Sequence, residues 1–248
     1  MSIQQLCVNM HVMYLIPTDF HLPFKLIWQL HKETQVSFSN DDTENRNPIY
    51  KQLNQMVVQN VTLDQPIQLV NQLEILTVTP DLLEKLKQRY QTLVREWSVN
   101  YAPFREKPLP LSVQQQVRDY LPQQLQALNP TVAIQSKKGV NGIIAPHRDH
   151  ARTASLFFLL ESNNEETVWW EKTGNFEEFD FFRFADVTKI KRAHSEIIKQ
   201  NQWYIFNNAE YHSVHPTGPS QGPRTTLCIE FNGVSADELN SLINNEKH

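Results

Sequence analysis

The sequence predicts an α+β fold in which a helical and mixed amino-terminal layer wraps around a carboxy-terminal β-sandwich or barrel. Helical spacing of apolar residues is clearest before Pro130 and after Ser235, whereas the segment between them holds six to nine short β-rich runs. Polar turns separate these runs, which favours antiparallel pairing over a parallel sheet with crossover helices. No shift in composition divides the chain, so we expect one domain with an α/β extension (1–129), a β core (130–232) and a carboxy-terminal helix (233–248).

Before residue 100 the sequence predicts two strands, an exposed loop and one helix. Apolar residues alternate from Val8 to Ile16 and again from Leu22 to Leu30, which predicts two strands, although the second run would also fit a helix. Residues 40–47, NDDTENRN, predict an exposed loop. Residues 80–97 carry apolar side chains at helical spacing behind Thr79, which is placed to cap a helix.

Two further helices are predicted from capping boxes. A helix is expected to begin at Ser112, because Ser112 and Gln115 have the spacing of a capping box and apolar residues follow on one face. Ser235 and Glu238 have the same spacing at the start of the last predicted helix.

The β-rich segment follows Pro130. In its last run Leu227, Ile229 and Phe231 alternate with polar or small residues, so we expect them on the outer face of the sheet, with Cys228 as a small buried residue. The aromatic segment from Trp169 to Phe184 could form a substrate-facing wall, but core packing is favoured. The predicted strands lie in the runs TVAIQ, GIIAPHRD, TASLFFLLE, ETVWWEK, VTKIKRA, SEIIK, QWYIFN, HSVH and RTTLCIEF.

Composition and charge exclude several classes of protein. With 40% hydrophobic and 20% charged residues, the 248-residue chain can bury a core. Its 23 basic and 27 acidic residues give a net charge of −4 without blocks of like charge, which argues against nucleic acid or a membrane as a partner. Two cysteines are too few for a disulfide framework, and the sequence shows neither a long apolar segment nor a signal peptide. We therefore expect a cytoplasmic protein.

Three residues of the β-rich segment have the types and spacing of metal ligands. His147 and Asp149 are two apart, so in an extended strand their side chains share a face, and His212 lies on a later strand. Two histidines and one carboxylate form the facial triad of non-heme Fe(II) sites, although zinc would also accept this set. His215 is the alternative distal ligand, but strand alternation directs it to the opposite face from His212.

Arg224 indicates which cosubstrate such a metal would use. Arg224 lies 12 residues beyond His212, far enough for the chain to return as a neighbouring strand, and Thr226 shares its face. A guanidinium and a hydroxyl directed into the barrel would bind the far carboxylate of 2-oxoglutarate, whose other oxygens could chelate the metal. The alternative is a surface arginine on an edge strand. Arg152 could contact substrate or cosubstrate, or form a plain salt bridge.

These residues carry a resemblance to a known superfamily. The runs APHRD, WYIFNNAEYHSV and RTTLCIEF resemble the Fe(II)/2-oxoglutarate-dependent oxygenases, in particular the aspartyl/asparaginyl β-hydroxylase-like group, over about residues 130–232. The resemblance implies a double-stranded β-helix, that is, a cupin-like jelly roll. It also implies that His147, Asp149 and His212 bind iron and that Arg224 binds the far carboxylate of 2-oxoglutarate.

The reaction implied by the resemblance converts 2-oxoglutarate to succinate and CO2 and hydroxylates a C–H bond. The substrate would be an amino acid, a peptide or another small molecule; which of these, and the oligomeric state, the sequence leaves open. Two alternatives remain. One is a non-catalytic jelly-roll module that binds a metal or ligand, and the other is a cupin-type metalloenzyme that does not use 2-oxoglutarate.

Overall fold

The computed structural model describes residues 13–40, 48–71, 74–97, 105–137, 144–149, 152–162, 164–176, 185–218 and 224–245. The helices within these residues are α1 (Phe24–Asn40), α2 (Pro48–Val58), α3 (Pro80–Trp97), α4 (Leu111–Arg118), α5 (Gln123–Ala127) and α6 (Ala236–Asn244), with a 3₁₀ turn at Val187–Lys189. The strands are β1 (Leu15–Pro17), β2 (Ile67–Asn71), β3 (Glu74–Val78), β4 (Arg105–Pro108), β5 (Thr131–Lys137), β6 (Ile144–His147), β7 (Ala154–Glu161), β8 (Glu166–Lys172), β9 (Ile190–Ile197), β10 (Trp203–Asn207), β11 (Tyr211–His215) and β12 (Arg224–Phe231).

The eight strands from β5 to β12 form two antiparallel sheets that face each other. The large sheet has the order β1-β10-β7-β12-β5-β4, and the small sheet has the order β6-β11-β8-β9. The chain passes between the sheets at almost every step, since β5, β7, β10 and β12 lie in one and β6, β8, β9 and β11 in the other. This connectivity is that of a jelly roll, or double-stranded β-helix. The predicted fold class is therefore confirmed.

The large sheet buries both of its faces. Leu227, Ile229 and Phe231 point outward from β12 into a core that includes side chains of α4, α5 and α6, as the alternation predicted. Cys228 points the other way, between the sheets, where its thiol is buried in a cluster that includes Phe157. The face to which each β12 side chain points therefore follows from the strand period of two.

The amino-terminal extension contributes to both the sheet and its cover. Strands β1 and β4 add to the two edges of the large sheet, pairing with β10 and β5. A separate small core lies among α2, α3 and the β2–β3 hairpin, and no pattern in the sequence analysis predicted that hairpin. The single-domain division at residues 129/130 and 232/233 stays a prediction.

The prediction of a strand at Leu22–Leu30 is wrong, and the helical alternative is right. Ile27 and Leu30 are buried about one turn apart on α1, whereas Phe24 and Trp28, also about one turn apart, are 69% and 48% exposed. Burial thus follows the helical period, although the apolar residues alternate in the sequence. Of the first predicted strand only its end is described, as β1, and the loop predicted at 40–47 lies outside the described residues apart from the last residue of α1.

The capping box predicted at Ser112 does not form. Helix α4 begins at Leu111, so Ser112 lies inside the helix and the N-cap residue is Pro110, whose side chain offers no hydrogen bond. The Gln115 side-chain amide donates to Asp119 Oδ1 at 2.9 Å. The helix also ends early, at Arg118, and α5 follows Pro122, since proline cannot continue a helix.

The other two helix predictions are confirmed. The Leu82 amide donates to Thr79 Oγ1 at 3.1 Å at the start of α3, and Ser235 and Glu238 form a complete capping box on α6.

One strand prediction needs correction, because the runs VTKIKRA and SEIIK form a single strand, β9, after a 3₁₀ turn. In the described parts of the chain no helix is long and apolar enough to cross a membrane.

Candidate metal centre

His147, Asp149 and His212 come together where β6 and β11 pair in the small sheet. His212 lies directly opposite His147 in the register of the two strands, and Asp149 follows the end of β6. One ligand atom from each of the three residues lies within 4.8 Å of the others. The Asp149 carboxylate is 3.9 Å from His147 Nε2 through Oδ1 and 3.8 Å from His212 Nε2 through Oδ2.

The donor set fits a divalent metal ion. His212 Nδ1 lies 3.0 Å from the Glu210 carbonyl oxygen, so Nδ1 carries the proton and Nε2 presents a lone pair toward Asp149. Two nitrogen or oxygen ligands of one ion lie about 3.0–3.5 Å apart. The observed separations of 3.8 and 3.9 Å are close to that range.

Electrostatics hold the aspartate and the distal histidine in the protonation states that a metal requires. Burial alone would raise the pKa of the Asp149 carboxyl, but Arg152, His212 and His147 hold that pKa well below its usual value. Burial and the nearby His147 lower the pKa of His212 to about 4, against the opposing effect of Asp149. At neutral pH the site therefore presents a carboxylate and a neutral imidazole.

Two donors bind one oxygen of the Asp149 carboxylate. Arg152 Nε donates to Asp149 Oδ2 at 2.8 Å, and Asn208 Nδ2 donates to the same oxygen at 2.6 Å. Arg152 also pairs with Glu230 on β12. Arg152 was expected either to contact substrate or cosubstrate or to form a salt bridge, and the structure shows the salt bridge.

The sequence analysis missed Asn208 and Glu230. Glu230 has the same strand parity as Thr226 and Cys228, so an acidic side chain on the inner face of β12 was the available signal. Asn208 had no such signal, since it lies in the turn between β10 and β11.

His215 is turned away from the three converging residues. Its Nε2 lies 2.7 Å from Ser213 Oγ, which also accepts a hydrogen bond from Trp170 Nε1 at 2.8 Å. Ser213 and His215 therefore share the face opposite His212, as the strand alternation predicted.

Arg224 and Thr226 lie on the inner side of β12 with Cys228. The Arg224 guanidinium lies over the Phe157 ring, with 5.7 Å between Cζ and the ring centroid. Phe157 packs 5.4 Å from Phe206, whose ring is 4.9 Å from that of His212. The rings of Phe157 and Phe206 thus form a continuous series of contacts between Arg224 and the candidate metal centre.

Arg224 is partly enclosed on the inner side of β12. Burial lowers the pKa of its guanidinium, and the negative charge of Glu165 opposes that effect. Thr226 is 1% exposed, and its hydroxyl lies 3.8 Å from Cys228 Sγ. A partly enclosed cation of this kind is suited to an anionic ligand.

The described part of the aromatic segment is core. Trp169 is fully buried between the sheets, and Trp170 and Phe176 pack against Tyr211 and its neighbours. Residues 177–184, the remainder of that segment, lie outside the described residues.

No protein-family model matches the sequence, and no curated protein matches it. Among solved structures, a vicilin from hazelnut (Corylus avellana) is similar at 13% identity and a TM-score of 0.30, over 55% of this chain and 30% of that chain. A vicilin from Solanum melongena has 10% identity and a TM-score of 0.32, over 57% of this chain and 32% of that chain. A cupin 2 domain-containing protein from Halorhodospira halophila has 11% identity and a TM-score of 0.27, over 59% and 80%.

The chain thus spans less than a third of the length of either vicilin. Similarities at these TM-scores carry no argument about function. The fold follows from the strand order of this chain, and it carries a His/Asp/His group that could hold a metal ion.

Proposed function

We propose that the protein is an Fe(II)- and 2-oxoglutarate-dependent oxygenase that hydroxylates a C–H bond of an amino acid, a peptide or another metabolite. The observation that carries the proposal is the convergence of His147, Asp149 and His212 on adjacent strands of a jelly roll. Two imidazoles and one carboxylate would occupy three positions of a six-coordinate ion and leave three open. Zinc sites with three protein ligands more often use three histidines, or two histidines and a glutamate.

His147, Asp149 and His212 would hold the iron, each in a distinct way. The Nδ1–H of His212 donates a hydrogen bond to the Glu210 carbonyl oxygen, and this bond orients Nε2. Asp149 supplies the only negative charge among the three ligands. Arg152 and Asn208 hold its carboxylate in a fixed orientation. Bound Fe(II) with 2-oxoglutarate supplies the activation of O2, in which one oxygen atom enters the substrate and the other enters succinate as CO2 leaves.

Arg224 and Thr226 would bind the cosubstrate from the inner face of β12. The guanidinium offers two parallel N–H donors, which match the two oxygens of the far carboxylate. Thr226 places a hydroxyl on the same face, and the rings of Phe157 and Phe206 exclude water between this face and His212. Exclusion of water strengthens the pairing of the two opposite charges.

A second candidate is a metal-binding jelly-roll protein that does not use 2-oxoglutarate, either a cupin-type metalloenzyme or a non-catalytic module. The packing of Phe157 against Phe206 favours it, because these rings fill space between Arg224 and His212. Both candidates use the same three metal-binding residues. They differ in whether Arg224 binds 2-oxoglutarate.

Turnover of 2-oxoglutarate separates the two candidates. The apoprotein is loaded anaerobically with Fe(II), exposed to O2 with 2-oxoglutarate and a pool of amino acids and peptides, and examined by mass spectrometry. We expect succinate and a substrate heavier by one oxygen atom from the parent protein and from His215→Ala, and neither from Asp149→Ala. Iron-loaded parent protein that forms no succinate would refute the oxygenase and favour the second candidate.

A further inference from the structure

Asn208 connects the two chain segments that carry the candidate metal ligands. It lies in the turn between β10 and β11, four residues before His212, and its side chain is 4% exposed. Its backbone carbonyl accepts a hydrogen bond from the Asp149 amide at 3.2 Å, and its Nδ2 donates to Asp149 Oδ2 at 2.6 Å. One residue therefore contacts Asp149 through both backbone and side chain while sharing a short segment with His212.

The orientation of the Asn208 amide is determined from its other end. Ser155 Oγ, on β7, donates to Asn208 Oδ1 at 2.8 Å, so Nδ2 is directed toward Asp149. Ser155 is 1% exposed, and the Asn208 backbone amide donates to the Thr153 carbonyl at 3.1 Å. The opposite amide orientation would set the Asn208 oxygen against a carboxylate oxygen, and burial would make that contact costly.

These contacts fix the orientation of the Asp149 carboxylate beside the two histidines. A carboxylate oxygen has about two acceptor positions. Asp149 Oδ2 uses them for Asn208 and Arg152 and lies 3.8 Å from His212 Nε2, and Oδ1 lies 3.9 Å from His147 Nε2. We propose, on the basis of the metal centre in the proposed function, that Asn208 is a positioning residue that holds the Asp149 carboxylate at the metal and fixes it relative to His212.

Asn208 tests positioning more cleanly than Arg152 does. Loss of Arg152 would leave Asp149 and Glu230 without their shared cation, so it would alter charge and geometry together. Asn208 is neutral, and its truncation leaves the net charge of the site unchanged. A change in metal affinity would therefore reflect a change in the position of the Asp149 carboxylate.

Anaerobic titration with Co(II), which has a visible absorption band sensitive to coordination, measures this effect without turnover. Asn208→Ala is expected to weaken Co(II) binding by about 10- to 100-fold, as other losses of hydrogen-bond partners behind metal ligands do, and to change the band. Ser155→Ala, which leaves Asn208 in place, should give a smaller loss in the same direction. It also preserves the test if Asn208→Ala does not fold.

Asn207→Ala is the matched control. Asn207 is the preceding residue, and its side chain bonds the Met13 carbonyl and the Ala209 amide, away from Asp149. Its Co(II) affinity should stay within about twofold of the parent value, whatever its melting temperature. Parental affinity and spectrum in both Asn208→Ala and Ser155→Ala would overturn the proposal and leave Asn208 as a turn residue.

The same titration distinguishes failure of this proposal from failure of the proposed function. If the parent protein binds no Co(II), both the metal centre and the role of Asn208 are refuted. If Co(II) binding depends on Asn208 but the iron-loaded protein forms no succinate, the positioning role stands and the oxygenase does not.

Discussion

Arg224→Ala would remove the group that distinguishes a 2-oxoglutarate oxygenase from a simpler metal-binding jelly roll. The guanidinium is partly enclosed on the inner face of β12, over the Phe157 ring, and burial lowers its pKa. Loss of one member of a desolvated, hydrogen-bonded charge pair costs about 2–5 kcal/mol. At 1.4 kcal/mol for each factor of ten, 2-oxoglutarate would bind about 30-fold to a few thousand-fold more weakly. Arg224→Lys keeps the charge without the fork of donors, so its loss should be intermediate.

The assay measures the 2-oxoglutarate concentration for half-maximal succinate formation, with anaerobic Fe(II) titration as a second readout. Because Arg224 is not among the three converging residues, iron affinity should stay near the parent value in both variants. Arg192→Lys is the control, since Arg192 pairs with Glu166 at an exposed position on β9. An unchanged 2-oxoglutarate dependence in Arg224→Ala would refute the assigned role and leave Arg224 as a structural strand residue.

Three further predictions concern the metal ligands and the fold. Asp149→Ala removes the only anionic ligand of the triad, so anaerobic titration should show Fe(II) affinity reduced at least about 100-fold; an unchanged affinity would mean that the triad is wrongly assigned. His212→Ala should abolish iron-dependent activity and His215→Ala should retain most of it, because His215 bonds Ser213 on the opposite face; the reverse result would reassign the distal ligand. Ser235→Ala should lower the free energy of unfolding by about 1 kcal/mol in urea titration through loss of the capping box. Ser241→Ala, on the same helix outside the cap, should change it much less.

Local patterns in the sequence predicted the elements that are stabilised by neighbours in the chain. The capping box at Ser235 and the cap at Thr79 depend on atoms three residues apart, so a short motif contains the whole interaction. Alternation along β12 likewise follows from the strand period, which assigned Leu227 and Cys228 to opposite faces.

Contacts between distant segments could not be predicted in the same way. Whether Leu22–Leu30 is a strand or a helix depends on which side chains the sheet covers, and both periods fit the apolar residues. The Asn208–Asp149 bond joins residues 59 positions apart through the geometry of a turn. His147, Asp149 and His212 were selected by residue type and spacing, although the strand expected to carry both His147 and Asp149 ends at His147. The groups that orient these side chains depend on tertiary packing.

Labelling with ¹⁸O2 tests the oxygenase most directly. Iron-loaded parent protein would be incubated with 2-oxoglutarate, a substrate pool and ¹⁸O2, and the products analysed by mass spectrometry. The reaction requires one labelled oxygen atom in succinate and the other in a hydroxylated product, with Asp149→Ala giving neither. Unlabelled succinate, or no succinate from protein that holds its iron, would contradict the assignment of this centre to 2-oxoglutarate chemistry.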